Sequence, residues 1–235
     1  MSYMHSHAKE YVGVSEFHGP VSETRIRKAT KEFIGEIYQR PPVRSAVSRR
    51  LRTREVFYFD LIEMRGRRML FKIGTESGTY VRKIVHDLGL LVGTGAHMAA
   101  LRRTMDGPFV EREAHSLWDV AGALEIYRRR LDDYWLRSVF LPVEVCVSTF
   151  PSIYVKDSAV ASLCHGAGLA VGGISSFEAP IAAGDVVAIK TLKGELVAMG
   201  KTVKDDSSMM RDKSGIAANV GRVVMDRGLY PKMWR

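Results

Sequence analysis

The chain has 235 residues, enough for one large domain or two modest ones, and its 35 lysines and arginines against 26 acidic residues leave a formal net charge of +9. Cys146 and Cys164 are the only cysteines, and no Cys-x-x-Cys or His-x-x-x-His spacing occurs, so neither a disulfide framework nor a zinc knuckle is supported and a reducing cytoplasm is expected. No apolar run approaches the roughly 20 residues needed to span a bilayer, and MSYMHSHAKEY lacks an apolar signal core, so the expectation is a soluble, unsecreted protein with no membrane partner.

In chain order, VSETRIRKATKEFIG predicts a first helix, with Ser22 able to cap it, Ile26, Ala29, Phe33 and Ile34 on one core-facing side, and Gly35 as its stop. RPPVRSAVSRRLRTR, Arg40 to Arg54, then carries six arginines and no acid. Guanidinium forks match phosphate oxygens and release counterions on contact, which favours a nucleic-acid backbone as partner. A solvated basic face is the plainer alternative, and a membrane surface is disfavoured because Pro41 and Pro42 spoil an amphipathic helix.

EVFYFDLIEMRGRRMLFKIG alternates and turns at Arg65-Gly66-Arg67, the pattern of a β-hairpin. A second helix is predicted from near Tyr80, with Val81, Ile84, Val85 and Leu88 on one face and Gly89 as its stop. LRRTMDGPF reads as a turn into a strand. From about Leu141 the texture changes to short β-like runs broken by glycine, which predicts a small separate β-barrel-like domain over 141–235 after a first domain over 1–140. Residues 151–235 hold 11 basic and 8 acidic side chains, leaving 24 and 18 for 1–150, so both parts can face the same polyanion.

Two nucleotide motifs fail. Gly74 and Gly78 suggest a phosphate loop, but Tyr80 stands where that loop needs Lys-Ser or Lys-Thr, and GTGAHM lacks the third glycine of a dinucleotide fingerprint. His97, beside apolar Met98, reads as a hydrogen-bonded packing residue and receives no role. The stretch SGTYVRKIVHDLG is more informative. If Thr79 to Arg82 is extended, Tyr80 and Arg82 point the same way, offering a ring to an unstacked base and a fork to a carboxylate or phosphate. A half-buried wall residue beside a surface charge fits the same letters, and the residues alone leave both readings open.

The order of several motifs adds a resemblance. KEYVGVSEFHG, GEIYQRPPVRSAVSRR, GTYVRKIVHDLG and GAHMAALRRTMDGPF together resemble the TruB-like pseudouridine synthases, nearest the archaeal and eukaryotic, dyskerin-like branch of box H/ACA ribonucleoproteins. CHGAGLAVGGI, GDVVAIKTLKGELVAMG and GLYPKMW resemble the RNA-binding PUA domain that ends these enzymes. The likeness runs from about Ala8 to Trp234. It implies an α+β fold, the C-terminal part of a synthase catalytic domain (a mixed sheet with helices) followed by a small β-barrel-like PUA domain.

The resemblance further implies conversion of uridine in rRNA or tRNA to pseudouridine, with no cofactor and no metal, on a nucleotide flipped into a pocket. Tyr80 and Arg82 would be catalytic, the first helping to remove a proton from the rotated base and the second pairing with the catalytic aspartate. Tyr11 would stack on the base and Leu101 would form the pocket's apolar wall. RNA contacts would come from Arg40, Arg44, Arg49 and Arg50, and in the PUA domain from His165, Gly166 and Lys193. The partners implied are an H/ACA guide RNA, the rRNA or tRNA substrate and small accessory proteins.

Two departures matter. Ser48 stands where the archaeal branch commonly has lysine, and the family's aspartate lies in a Gly-x-Leu-Asp-Pro type motif ahead of Lys-Glu-Tyr that is not found here, Asp60 being the first aspartate. The expectation is therefore an archaeal-type synthase portion that is inactive alone and needs an upstream, Asp-bearing segment, since a phenol cannot replace a carboxylate. A non-catalytic RNA-binding scaffold of an H/ACA-like particle is the alternative.

Overall fold

A computed structural model describes residues 7–41, 48 and 50–233; Arg44 and Arg49, two of the expected RNA contacts, lie outside the described residues. The chain divides into two compact units, residues 1–125 and 126–235. This division falls at 125/126, and the boundary expected from the change of sequence texture is at 140/141.

The first unit holds β1 (Lys9–Phe17), α1 (Glu23–Lys31), β2 (Gly35–Gln39), β3 (Arg52–Arg65), β4 (Arg68–Thr75), α2 (Val81–Leu91), β5 (Ala96–Asp106) and β6 (Phe109–Val110). Its six strands form one sheet in the order β2-β3-β4-β1-β5-β6, with every pairing antiparallel. α1 packs on β3 and α2 on β5, and one core joins them, with Ile26, Phe59, Phe71, Ile73, Ile84 and Leu88 among its buried side chains.

Local chemistry explains most of these elements. Ser22 caps α1, its hydroxyl accepting from the Arg25 N–H at 3.4 Å, and Ile26 and Ala29 are buried as the periodicity requires. Ile34 is not core: α1 ends at Lys31, the following turn carries Ile34 off the helical face, and it is 46% exposed. The β3–β4 hairpin turns at Gly66, whose φ of +59° suits glycine. A register shift between Val56 and Tyr58 resets the alternation, so Val56, Phe59 and Leu61 all reach the core.

In α2 the predicted face is fully buried, but Gly89 does not stop the helix. The helix runs on to Leu91, and a Cβ at Gly89 would lie 2.1 Å from the Ala96 nitrogen, so the residue is there to let α2 close onto the start of β5. LRRTMD is likewise not a turn but the end of β5; the turn is at Gly107, φ +58°, and leads into the two-residue β6.

α3 (Leu117–Arg130) crosses the division, and the second unit continues with α4 (Tyr134–Val139), β7 (Ser152–Val155), α5 (Asp157–Cys164), β8 (Leu169–Ala170), β9 (Ile174–Phe177), β10 (Val186–Thr191), β11 (Leu196–Thr202), α6 (Asp206–Arg211) and β12 (Ile216–Val223). Its sheet runs β8-β12-β11-β10-β7-β9, with β7 and β10 parallel and the other pairs antiparallel. Val160 and Leu163 of α5 and Met209 of α6 join Ile153, Ile189 and Val197 in a second core. The glycine-broken β texture after Leu141 becomes this sheet.

Candidate functional site

β1 lies between β4 and β5, and this position brings distant residues together. Tyr11 faces Ile73 on β4 and Arg103 on β5, while Gly13 faces Phe71 and Leu101. Because alternate residues share a face, Tyr11 and Leu101 stand on neighbouring strands of the side that carries the helices. Tyr11 is half-buried against the core, and Leu101 is 36% exposed. A side chain at Gly13 would come 2.5 Å from the Phe71 ring, so the surface between Tyr11 and Leu101 stays low. Burial raises the pKa of the Tyr11 phenol and outweighs the opposing Arg103 guanidinium, which keeps the ring uncharged at neutral pH.

Tyr80 reaches the same end of the sheet. β4 finishes at Thr75, which pairs with Lys9, so the chain leaves the sheet two residues from Tyr11 in register. A turn follows in which the Thr79 hydroxyl donates to the Glu76 carbonyl at 2.8 Å and Gly78 takes φ +77°. Tyr80 is extended, φ −91° and ψ 90°, but Val81 already begins α2. Arg82 therefore sits in the first helical turn, and the two-residue alternation that would aim it alongside Tyr80 does not apply. The helix prevails because Val81, Ile84, Val85 and Leu88 bury together only in a 3.6-residue period.

Arg82 is exposed, and among the described residues it has no ion-pair partner. The first turn of α2 also contains no acid. A cation beside the positive end of a helix dipole is locally unfavourable, so this corner is suited to an anion.

The backbone of Tyr80 is held by a residue that the sequence reading passes over. Gln39, only 4% exposed, accepts from the Tyr80 N–H at 2.9 Å and donates to the Tyr80 carbonyl at 3.3 Å. Gln39 ends β2 opposite Arg52, so one rung closes the base of the arginine-rich excursion. Arg40 and Arg50, at its two ends, are exposed. A second tie joins that base to the turn before Tyr80: Glu76 donates its N–H to the Glu55 carbonyl at 2.8 Å, and its side chain lies 3.7 Å from Arg54.

Glu10 anchors a polar cluster in the same sheet. Its carboxylate accepts from the Tyr58 hydroxyl at 2.5 Å and the Thr104 hydroxyl at 2.8 Å and pairs with Lys72 at 2.8 Å. Burial pushes the Glu10 pKa up, yet the Lys72, Tyr58 and Thr104 hydrogen bonds prevail and hold it below the ordinary glutamate value. His97 Nδ1 lies 3.1 Å from His18 Nε2, the hydrogen-bonded arrangement expected of it, although on the surface and not in the core.

In the second unit His165 and Gly166 come together. His165 caps the C-terminus of α5, its Nδ1 2.7 Å from the Ala161 carbonyl, and Gly166 follows at φ +88°. Both line an open groove of 740 Å³ with Cys164 and the segment from Val223 to Arg227. Lys193 is not one of its lining residues; it sits in the β10–β11 turn with its Nζ 5.8 Å from the centre of the Tyr230 ring. Among the described residues no group of three or more His, Cys, Asp or Glu side chains is placed to hold a metal ion, and no helix is long and apolar enough to cross a membrane.

Two family models match the chain in succession. A model of the tRNA pseudouridylate synthase B C-terminal domain matches residues 82–148, and a PUA domain model matches residues 151–224. A probable tRNA pseudouridine synthase B of Pyrobaculum arsenaticum is 51% identical over 227 residues, covering 97% of this chain and 69% of the relative. One from Archaeoglobus fulgidus is 44% identical over 235 residues, covering 100% of this chain and 72% of the relative. Among solved structures, a Cbf5-Nop10-Gar1 complex matches with a TM-score of 0.94 at 45% identity, covering 99% of this chain and 71% of that one. An H/ACA RNP bound to a substrate RNA containing 2′-deoxyuridine matches at 0.91 and 42%, with the same coverage. With residues 82–148 and 151–224 matched by the two models in turn, and nearly its whole length aligned to such synthases at about half identity, the chain belongs to the tRNA pseudouridine synthase B family.

Proposed function

We propose that this chain isomerises uridine to pseudouridine in rRNA or tRNA, at positions chosen by an H/ACA guide RNA, together with a carboxylate brought by an upstream, Asp-bearing segment. The C1′–N1 bond of the flipped nucleotide breaks, the uracil turns, a C1′–C5 bond forms, and the proton on C5 is lost as N1 gains one. Tyr11 stacks on the base, Leu101 walls the pocket, and the Tyr80 phenol assists departure of the C5 proton. Arg82 pairs with the incoming carboxylate. The observation that carries the reading is that Tyr11 and Leu101 share one face on neighbouring strands, while β4 leaves the sheet at Thr75, two residues from Tyr11 in register, and leads through one turn to Tyr80. The anion-ready corner formed by Arg82 and the start of α2 favours a carboxylate from outside the described residues.

The second unit is assigned the grip on guide RNA through the groove beside His165 and Gly166, and the arginine excursion is assigned phosphate contacts. The named particles, Cbf5 with Nop10 and Gar1 and the H/ACA RNP with substrate RNA, support small accessory proteins as partners of this chain too. The test is turnover of mass-labelled uridine in a target RNA by the chain with guide RNA and accessory proteins, with and without an Asp-bearing segment. Pseudouridine is expected only when the segment is supplied. Product in its absence would refute the carboxylate requirement, and tight RNA binding without product in either case would favour the scaffold.

A further inference from the structure

We infer that Gln39 is a positioning residue for the reaction: from the base of the arginine excursion it clamps the backbone of Tyr80 on both sides of its Cα and so sets where the phenol stands. The inference rests on the reading of Tyr80 as a catalytic group. Tyr80 needs such a clamp because neither neighbouring element accepts from its N–H. It lies after β4, so no strand ladder fixes it, and it is the N-cap of α2 without a side-chain cap of its own. The preceding turn contains Gly78 at φ +77°, a conformation that alone gives little stiffness.

Helix α2 holds Tyr80 at its carbonyl only, to which the Lys83 and Ile84 N–H groups donate at 2.9 and 3.2 Å. Gln39 engages both groups with the two ends of its amide, 2.9 Å to the N–H and 3.3 Å to the carbonyl. A buried amide is costly unless both ends are satisfied. Here both ends are spent on the backbone of one residue, the N–H and the carbonyl that flank the Tyr80 Cα, so the amide has a single matching orientation and Tyr80 a single matching position.

The location of Gln39 adds a consequence. It directly precedes Arg40 and pairs with Arg52, so the segment assigned to RNA phosphates is rooted on the residue that places the catalytic phenol. The parallel tie from Glu55 to Glu76 stiffens the same junction. An apolar side chain could not do this, and asparagine, which carries the same amide, is one methylene shorter.

Three measurements test the clamp. In the chain itself, hydrogen exchange of the Tyr80 amide should quicken roughly five- to tenfold in Gln39→Met, which keeps the length and removes both partners; an unchanged rate overturns the clamp. In the guide-directed assay with the Asp-bearing segment supplied, Gln39→Met should lower kcat by about 10²-fold, the cost of misplacing a reacting group by an ångström, with KM for RNA unchanged. A wild-type kcat, or a loss carried by KM alone, overturns the positioning role. Gln39→Glu supplies a conservative rescue: ionised, it still accepts from the N–H but repels the carbonyl, whereas protonated it donates there as the amide does. Its turnover relative to wild type should therefore climb as pH is lowered; a ratio independent of pH overturns the proposal. Tyr80→Phe turning over at the wild-type rate would instead overturn the reading of Tyr80, and the exchange result would stand apart from it.

Discussion

Gly89→Ala places a methyl group where α2 and β5 touch. In most helices the change is favourable, since alanine gains about 1 kcal/mol over glycine. Here the new Cβ would lie 2.1 Å from the Ala96 nitrogen, 2.5 Å from the Gly95 carbonyl carbon and 2.6 Å from the Ala96 Cβ. Two of those atoms are backbone, so no side-chain rotation relieves them. The helix and strand must part by roughly 1 Å, at the upper end of the ~1–3 kcal/mol typical of overpacking. The Gly89 carbonyl also accepts from the Gly95 N–H at 2.8 Å, and displacement loosens that bond.

Net of the helical gain, the loss should be about 2 kcal/mol, or a fall in Tm of roughly 8 °C for a unit of this size. Gly122→Ala is the matched control, because Gly122 lies inside α3 with nothing within 4 Å of its missing Cβ. Thermal and urea unfolding of both variants decide the matter. Gly122→Ala should be neutral or stabilising, and Gly89→Ala clearly destabilising. If both gain stability together, the close approach of α2 and β5 is wrong.

Tyr58→Phe removes one donor from Glu10, a hydrogen bond to a charged group worth about 1.5–3 kcal/mol, which equilibrium unfolding at neutral pH will measure. Because the folded pKa of Glu10 is depressed, its stabilisation is present above the unfolded value and is lost as pH falls through the folded one. Glu10→Gln should therefore flatten that part of the acid-unfolding profile, and an unaltered profile would count against the network. Tyr80→Phe, in the assay with the Asp-bearing segment, should depress turnover by about 10²–10⁴ while RNA binding persists; equal rates would leave Tyr80 a wall residue. Arg49→Ala with Arg50→Ala should lower the slope of log affinity against log salt by roughly 0.7–0.9 per lost phosphate contact, and an intact slope would make the excursion a solvated face.

What was legible in the sequence was local. Val81, Ile84, Val85 and Leu88 recur at the helical period, and Arg65-Gly66-Arg67 interrupts a strand alternation, because both patterns are set by the geometry of a few consecutive residues. Motif order pointed to the family, and with it to Tyr11, Tyr80 and Leu101. Only the tertiary structure decided where those residues stand. Tyr11 and Leu101 become neighbours because β1 is inserted between β4 and β5, a choice governed by burial summed over the whole sheet. Gly89 reads as a helix stop until Ala96 is packed against it, and Gln39 reads as one polar letter ahead of a basic run. Its buried amide acquires meaning only when folding delivers the peptide of Tyr80, 41 residues away, since a hydrogen bond is specified by positions in space that no local period encodes.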